Sequence, residues 1–437
     1  MGAPGLELSP FTRVTRAGSR YVVHHALFGN ANVVNEDLIT ILDEVKNGSS
    51  IEDISSKFKT DESFSSVISE LTRLRYLIPK GTDERAELSR KQEERKPQLG
   101  VLRLYVTFGC NFDCSYCLNP TLWADSPDRH MTPAMAKLSV HNFLEKSAEW
   151  SRVRFFGGEP LLNLPAIHAA IEEAEKFKGK KVSYILNTNG SLMTDEVAAL
   201  CKAKNMQVII SLDGAGSEND AVRRRVGGAG SFGSIVRGIE LARDHGNRVD
   251  ISCVVTDKNK DRLHELVDVV RDLKVLYLGL SYPRYQKKKI DVRALADAFF
   301  DAFLYGKKQG VVVCGEWTWI NARLRSHTPF GYCVGAGGEL TVMPNGDIFP
   351  CDGITRRYGT ITDVEGAMQS PFYQEMSRRF AGSIEHCKGC SIEGLCAGGC
   401  SAEALFKNGD VCSPSLQECE LFRELADRYL TYLATSA

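Results

Sequence analysis

Hydrophobic and polar positions divide the chain into three segments of different character. The first, over 1–80, begins with short β-like runs at 11–14 and 21–28 and continues with three helical patterns, the last over 64–74. A short apolar run closes it at 76–78. Strands followed by three helices in so short a segment predict a small winged-helix domain.

A charged stretch without aromatic residues over 81–98 predicts a partly helical linker. From 99 to 310, strand-like and helix-like segments alternate six times, which is typical of parallel strands joined by crossover helices. The predicted strands are 102–107, 153–156, 182–186, 207–212, 249–255 and 275–280. Six units are fewer than the eight of a closed barrel, so we expect an α/β fold with a partial (β/α)6 TIM-like barrel.

The last segment, over 311–437, shows little regular periodicity before a final helix predicted at 421–433. It contains many glycines and nine of the fourteen cysteines. This composition predicts loops that fold around metal rather than around a large apolar core.

Composition and charge restrict the expected location of the protein and the classes of partner it is expected to bind. A net charge of -1 and a pI near 6.8 give no reason to expect binding to nucleic acid or to anionic lipid. The N-terminus lacks the apolar core of a signal peptide, and no apolar run is long enough to span a bilayer. We therefore expect a cytoplasmic protein without a membrane or nucleic-acid partner. In such a protein, fourteen cysteines point to metal ligation rather than to disulfides, although Cys201 and Cys253 stand alone and are expected to be inert buried thiols.

Three cysteines follow the first predicted barrel strand at the spacing C-x-x-x-C-x-x-C: Cys110, Cys114 and Cys117. Three thiolates can bind three irons of a 4Fe-4S cluster and leave the fourth iron open to a small ligand. The mouth formed by the carboxyl ends of barrel strands is where such a ligand is expected. A zinc site completed by a distant ligand is the alternative.

Polar loops follow the next three predicted strands at the same end of the sheet. Gly157, Gly158 and Glu159 come after the second strand, Asn187 after the third, and Ser211 at the end of the fourth. The glycines allow close backbone approach to a ligand, Glu159 can accept hydrogen bonds from an ammonium group, and Asn187 and Ser211 offer neutral polar contacts. Together these loops predict a small polar ligand beside the cysteines.

With these motifs the chain resembles the radical SAM superfamily, which carries C-x-x-x-C-x-x-C and a GGEP-like motif after the second strand. The resemblance implies that Cys110, Cys114 and Cys117 bind a 4Fe-4S cluster whose open iron chelates S-adenosylmethionine, with Tyr116 flanking the adenine. It also implies that 219–223 corresponds to the H-D-x-x-R motif of related enzymes, with asparagine in place of histidine. Arg223 is then a candidate partner of the SAM carboxylate, and a solvated charge is the alternative.

The later cysteines resemble the SPASM domain, an extension with two auxiliary 4Fe-4S clusters, which brings the implied total to three. The implied ligands of the first auxiliary cluster are Cys333, Cys351 and Cys400, and those of the second are Cys387, Cys390, Cys396 and Cys419. Cys412 is favoured over Cys314 as the fourth ligand of the first cluster, and an open iron remains if neither binds. A pair of zinc sites is the alternative for the whole region.

Asp352 follows Cys351 directly, where sulfatase-maturating relatives carry a proposed base. It is therefore a candidate catalytic residue, or alternatively a hydrogen-bond acceptor behind the cluster loop.

The N-terminal segment resembles the winged-helix leader-recognition element of enzymes that mature ribosomally made peptides. This resemblance implies a precursor peptide with a leader, bound by strand addition. We therefore expect an oxidoreductase or cyclase that forms a carbon-carbon or thioether cross-link and takes electrons from a flavodoxin or ferredoxin type of donor. Two alternatives are a formylglycine-forming sulfatase maturase and a redox-sensing iron-sulfur regulator that binds DNA.

Overall fold

The structure is a computed structural model that describes residues 5–58, 61–94, 98–123, 128–285, 289–325 and 331–436. Its N-terminal part is a small layer of antiparallel strands and four helices. The elements are β1 (Leu6–Leu8), β2 (Thr12–Ala17), β3 (Arg20–His25), β4 (Gly29–Val34), α1 (Glu36–Lys46), α2 (Ile51–Phe58), α3 (Asp61–Arg73), β5 (Leu77–Pro79) and α4 (Glu84–Glu93).

Strands β2, β3 and β4 form a three-stranded antiparallel sheet, and β1 pairs with β5. Helix α1 is capped by Asn35, whose side chain accepts a hydrogen bond from the Leu38 backbone N–H at 3.2 Å. The helices pack around a core that includes Val23, Ile54 and Leu77. The observed order of strands and then three helices agrees with the sequence prediction, and the winged-helix assignment itself stays a prediction.

Helix α4 occupies most of the stretch predicted as a linker. Asp83 caps it by accepting a hydrogen bond from the Ala86 N–H, at 3.0 Å. Glu84 and Leu88 are both 2% exposed, so one face of the helix is buried against the N-terminal strands. The predicted linker is therefore a docked helix, which Arg75 and Glu393 also contact through ion pairs with Glu87 and Arg85.

The middle of the chain forms alternating strands and helices. Its elements are β6 (Val101–Thr107), β7 (Phe112–Cys114), α5 (Asn119–Leu122), α6 (Pro133–Lys146), β8 (Trp150–Gly157), α7 (Leu164–Ala174), β9 (Lys181–Thr188), α8 (Asp195–Ala203), β10 (Gln207–Ser211), α9 (Ser217–Val222), β11 (Arg223–Arg225), α10 (Phe232–Asp244), β12 (Val249–Val254), α11 (Leu263–Asp272), β13 (Tyr277–Ser281), α12 (Val292–Gln309), β14 (Val312–Gly315) and α13 (Glu316–Arg325). Short 3-10 turns precede α7 and α11.

The C-terminal part is made of short elements followed by one long helix. These are β15 (Glu339–Val342), β16 (Asp347–Phe349), β17 (Gly359–Thr360), α14 (Val364–Gln369), α15 (Pro371–Ser377), α16 (Glu393–Cys396), α17 (Ser401–Asn408) and α18 (Leu416–Ser436), with a 3-10 turn at Glu385–Cys387. Helix α18 covers the predicted 421–433 and buries Phe422, Leu425 and Tyr429. It packs on α12 and on the N-terminal strands β2 and β3.

The main sheet has ten strands in the order β14-β13-β12-β10-β9-β8-β6-β15-β16-β17. The six predicted strands are β6, β8, β9, β10, β12 and β13, and all their mutual pairings are parallel. Strand β14 extends the parallel sheet at one edge, and β15 joins it in parallel beside β6. The expected α/β fold with a parallel sheet is therefore present, and four strands beyond residue 310 lengthen the sheet: β14 and β15 by parallel pairing, and β16 and β17 by antiparallel pairing.

Among the described residues, no helix is both long and apolar enough to cross a membrane.

Candidate active site

The loop after β6 carries Cys110, Cys114 and Cys117 at the carboxyl end of the sheet, and none of the three is in a disulfide. Its strand β7 pairs with β11 so that Cys114 lies opposite Arg223. Burial raises the pKa of the Cys114 thiol to about 12 and also raises the pKa of Cys110 and of Cys117. The three thiols are thus neutral without metal, and a bound metal must displace their protons.

Two glycines at the end of β8 fix this loop to the sheet. The Gly158 N–H donates to the Thr107 carbonyl at 2.8 Å, and the Glu159 N–H donates to the Gly109 carbonyl at 2.8 Å. A Cβ on Gly158 would overlap the Gly109 carbonyl group, and Gly157 has φ +147°. The sequence suggested that the glycines admit a ligand, but their close neighbour in the structure is the backbone that leads into Cys110.

Glu159 is fully buried, and its carboxylate is used inside the protein. It accepts hydrogen bonds from the Thr188 hydroxyl at 2.6 Å, the Asn189 N–H at 2.7 Å and the Leu161 N–H at 3.1 Å. Burial raises the pKa of this carboxyl, and the three hydrogen bonds oppose the rise. Glu159 therefore ties the loop after β9 to the end of β8, whereas the sequence suggested contact with an ammonium group.

A second hydrogen-bonded chain connects the cysteine loop to the loop after β9. The Asn189 side-chain amide donates to the Asn111 side-chain oxygen at 2.8 Å, and the Asn111 side-chain amide donates to the Ser191 hydroxyl at 2.9 Å. The Ser191 N–H and hydroxyl both donate back to Asn189. The residue directly after Cys110 is thereby held in place.

Tyr116, Asp213 and Arg223 form a buried triad behind the cysteines. The Tyr116 hydroxyl donates to the Asp213 carboxylate at 2.5 Å, and the Arg223 guanidinium donates to the same carboxylate at 3.1 Å and to the Tyr116 oxygen at 2.5 Å. Arg223 is 8% exposed and Asp213 is fully buried. Arg223 is therefore a buried, paired charge and not a solvated one.

Asn219, which stands where related enzymes have histidine, is fully buried. Its side-chain oxygen accepts from the Asp213 N–H at 3.1 Å, and its amide donates to Ser231 at 3.0 Å. Asp220 accepts from the Ser231 and Phe232 N–H groups, both at 2.8 Å, at the start of α10. The 219–223 segment thus links β10, β11 and α10 around the triad.

The remaining predicted contacts of the SAM site lie on β9 and β10. The side-chain oxygen of Asn187 accepts a hydrogen bond from Arg154 at 3.2 Å, and Ser211 is partly exposed at the end of β10. A cavity of about 280 Å³ adjoins Tyr116 and is also lined by Val222, Val255 and Thr256. A recess lined by both apolar and charged side chains therefore adjoins the cysteine loop at Tyr116.

Cys333, Cys351 and Cys400 lie near enough to one another for their charges to interact. Burial raises the pKa of Cys351 well above its usual range, and the charges of Asp352, Cys400 and Cys333 contribute. Burial also raises the pKa of Cys400 to about 11, with Cys333 among its charged neighbours. The structure thus brings together the three cysteines predicted for the first auxiliary site.

The cysteines predicted for the second auxiliary site also meet. Burial raises the pKa of Cys396 well above its usual range, and Cys419, Cys387 and Cys390 are among the charged neighbours that add to the rise. Burial likewise raises the pKa of Cys387 to about 12, and the charges of Cys419 and Cys390 add to the rise.

Cys412 and Cys314 do not share these surroundings. The groups that shift the pKa of Cys412, after burial, are Arg379, Asp410 and Glu375. Cys314 lies on β14, and its thiol donates to the Leu278 carbonyl at 3.5 Å. No thiol is among the groups that shift either pKa, so ligation by Cys412 stays a prediction.

Asp352 forms an ion pair next to Cys351. Its carboxylate pairs with the Arg103 guanidinium, which also contacts Glu339 at 2.7 Å. Burial raises the pKa of Tyr105, and the charges of Asp352 and Cys117 add to this rise, so Tyr105 has both within range. The pairing with Arg103 fixes the position of the Asp352 carboxylate.

The donor sets fit iron-sulfur clusters. Over the described ranges, no three His, Cys, Asp or Glu side chains converge as the ligands of a single metal ion do. Ligands of a four-iron cluster bind separate irons and need not converge on one point. Four-iron clusters are bound by sets of cysteine thiolates. The three-cysteine loop and the set of four later cysteines both provide such ligands.

Comparison with known proteins identifies the class of the barrel. Residues 104–270 match the Radical SAM superfamily. The chain is 24% identical to the radical SAM cyclopropyl synthase TigE of Paramaledivibacter caminithermalis, over 95% of this chain and 94% of that protein. It is 26% identical to a serine-type anaerobic sulfatase-maturating enzyme of Klebsiella aerogenes, over 71% of this chain and 82% of that enzyme.

Solved structures share the fold. Native anSMEcpe with bound AdoMet superposes with a TM-score of 0.65 at 21% identity, covering 77% of this chain and 99% of that one. Streptococcus suis SuiB bound to precursor peptide SuiA superposes with a TM-score of 0.56 at 16% identity, covering 92% and 97%. The protein thus contains a radical SAM domain.

Sequence reasoning missed several residues that organise this site. Asp213 was visible only as part of a polar loop, although its place directly after a buried strand was a signal. Arg103 and Arg154 lie within predicted strands, where a charged residue facing the barrel interior has no separate sequence signature. Tyr285 lies in an aromatic segment after β13 whose role the sequence left open.

Proposed function

We propose that this protein is a radical SAM peptide maturase that forms an intramolecular bond in a ribosomally made precursor peptide. The observation that carries the proposal is the cysteine loop with Cys110, Cys114 and Cys117, held at the carboxyl end of a parallel sheet within a radical SAM domain. Cys110, Cys114 and Cys117 would hold a 4Fe-4S cluster there, and that cluster would supply the electron for reductive cleavage of S-adenosylmethionine.

The residues around this loop position the cofactor and the substrate. Tyr116 faces the adjoining cavity, and we place the adenosine part of SAM against it. Arg223 keeps Tyr116 in position through their shared contact with Asp213, and we assign this positioning role to Arg223 in addition to any contact with the SAM carboxylate. Gly157, Gly158 and Glu159 hold the cysteine loop against the end of β8.

We further propose two auxiliary 4Fe-4S clusters in the C-terminal segment. Cys333, Cys351 and Cys400 hold the first, with Cys412 as the predicted fourth ligand, and Cys387, Cys390, Cys396 and Cys419 hold the second. The proximity of the thiols within each set supports this assignment. Two further clusters suit an enzyme that must remove an electron from a substrate radical after hydrogen abstraction.

The proposed substrate is inferred from similarities that extend over almost the whole chain. The similarity to TigE, named a cyclopropyl synthase, covers the N-terminal part as well as the barrel, and SuiB, which was solved with a precursor peptide, superposes over 92% of the chain. A cyclopropane is closed by one intramolecular carbon-carbon bond. We therefore favour carbon-carbon bond formation over a thioether.

The N-terminal domain is proposed to bind the leader of this peptide. Strands β2 and β4 are the edges of its three-stranded sheet, and either can accept an added strand through main-chain hydrogen bonds. The domain is fixed to the C-terminal segment, because the Gly394 N–H donates to the Ala26 carbonyl at 2.7 Å and Arg85 forms two hydrogen bonds with the buried Glu393. A leader bound here would be held at a constant position relative to the barrel.

The test is co-expression with each short reading frame encoded beside the gene, followed by mass spectrometry of the recovered peptides. The proposal predicts a peptide that has lost two hydrogens per new bond and does not react with a carbonyl reagent. Cys114→Ala is the control and must abolish the change. Unmodified peptides with the cluster-replete protein would refute the proposal.

Formylglycine formation in a sulfatase is the second candidate, favoured by the 26% identity to the sulfatase-maturating enzyme. That match leaves about three tenths of this chain uncovered, whereas the TigE match covers almost all of it. A product that reacts with a carbonyl reagent would support this second candidate and exclude a cross-link at the same residue.

A further inference from the structure

Tyr285 has a conformation that only its surroundings can maintain. It is the residue at which the segment after β13 crosses to the C-terminal segment, and its φ is +63°. A bulky side chain rarely adopts this left-handed backbone conformation, and such strain persists where the surrounding structure fixes it. The Tyr285 N–H donates to the Glu403 carboxylate at 2.7 Å, which holds the backbone in place.

The phenol of Tyr285 reaches the first auxiliary site. Its hydroxyl lies 3.9 Å from the Cys400 sulfur. A Cβ on Gly353 would overlap this hydroxyl and would lie 2.6 Å from the ring carbon that bears it, so a side chain at residue 353 would displace the phenol. The ring also meets Phe406 edge to face at 5.8 Å. The backbone conformation of Tyr285 and the absence of a side chain at Gly353 therefore both determine where this hydroxyl lies.

We propose that Tyr285 tunes the first auxiliary cluster by donating an O–H···S hydrogen bond to the Cys400 thiolate. A thiolate that binds iron has no proton to donate, so the phenol must be the donor in this contact. A hydrogen bond to a ligand sulfur stabilises the more negative, reduced cluster and raises its reduction potential. Tyr285 is a positioning residue in this role and does not touch the reacting atoms.

In the proposed function, the substrate must give up an electron to an acceptor. An auxiliary cluster with a higher potential is a better acceptor for the electron that a peptide radical gives up when the new bond forms. In that step the peptide radical is oxidised by one electron, the cluster is reduced by one electron, and the proton leaves to solvent or to a base. This inference rests on the proposed auxiliary clusters.

The experiment is a redox titration of the anaerobically reconstituted full-length protein, followed by EPR spectroscopy. Tyr285→Phe keeps the ring and removes the hydroxyl. We expect one auxiliary cluster to shift to lower potential by about 59 mV, which corresponds to a tenfold change in its reduced-to-oxidised ratio for one electron. The other two clusters should titrate as in the wild type.

Tyr358→Phe is the matched control. Tyr358 is a buried phenol with Cys351 and Cys333 among its charged neighbours, and its hydroxyl has no hydrogen-bond partner among the described residues. Its removal should leave all three potentials unchanged. Gly353→Ala should also remove the hydrogen bond to Cys400, because its Cβ displaces the Tyr285 hydroxyl without a change to Tyr285 itself. This variant should therefore also lower the reduction potential of one cluster.

Iron and sulfide content separates the possible failures. A wild-type protein that holds only one cluster overturns both the proposed auxiliary clusters and this inference. Three clusters whose potentials do not change in Tyr285→Phe overturn this inference alone. An equal shift in Tyr358→Phe would also overturn it, because the shift would then reflect the loss of any nearby hydroxyl.

Discussion

Replacing Asp213 with asparagine removes the charge that compensates the buried Arg223 guanidinium. The asparagine oxygen can still accept from the Val254 N–H, which Asp213 binds at 2.9 Å, but its amide would then face two other donors, Arg223 and the Tyr116 hydroxyl. Breaking a buried ion pair costs about 3–5 kcal/mol because one charge stays uncompensated. We expect about 3 kcal/mol, since asparagine keeps the shape and one hydrogen bond.

Hydrogen exchange measured by mass spectrometry tests this cost locally, without requiring two-state unfolding of a large protein. Exchange of the amides in the β7–β11 pair should accelerate about a hundredfold in Asp213→Asn, which is the ratio that about 3 kcal/mol predicts. Asp297→Asn is the control, because this carboxylate is 64% exposed and its pair with Arg428 is worth about 0–1 kcal/mol. Protection of β7 and β11 within about threefold of the wild type would refute the reasoning.

Three further predictions concern the cluster loop, pH and the docked N-terminal domain. Gly158→Ala should lower the iron content by about one cluster, because its Cβ overlaps the Gly109 carbonyl, and a normal iron content would contradict the packing argument. Burial lowers the pKa of His24 from 6.5 to about 4, so its contribution to stability is complete above pH 6.5 and is lost at about 1.4 kcal/mol per pH unit as the pH falls towards 4. Denaturant midpoints of the cluster-free protein should show this slope, and an equally steep slope in His24→Gln would contradict it. Arg85→Ala should speed proteolysis between the N-terminal domain and the barrel, since it leaves the Glu393 carboxylate buried and unpaired, and unchanged cleavage would argue against this contact.

The sequence predicted the six central strands because each is a short, mostly apolar run between turn signals, which is typical of a buried parallel strand. It missed β4, whose residues include a glycine and two asparagines, and it missed β14 and β15, which are only four residues long. Such strands are stabilised by their neighbours in the sheet, which local propensity does not reveal.

The loop with Cys110, Cys114 and Cys117 could be recognised as a candidate ligand set because its spacing is local, whereas the two auxiliary sets combine cysteines from distant loops and were inferred from the resemblance to the SPASM domain. The partners of individual polar residues were not predictable. Arg223 could be proposed as a SAM ligand or as a solvated charge, but its contact with Asp213 depends on how β11 lies against β10 and the cysteine loop. Gly158 and Glu159 likewise serve the backbone of neighbouring strands, a role that only the three-dimensional arrangement shows.

Formation of 5'-deoxyadenosine from S-adenosylmethionine tests the central claim most directly. The protein would be reconstituted with iron and sulfide under anaerobic conditions, reduced with dithionite and assayed by liquid chromatography, with Cys114→Ala as the control. We predict that the wild type produces 5'-deoxyadenosine and methionine and that Cys114→Ala produces neither. A fully cluster-loaded, reduced wild type that forms no more 5'-deoxyadenosine than Cys114→Ala would contradict the account.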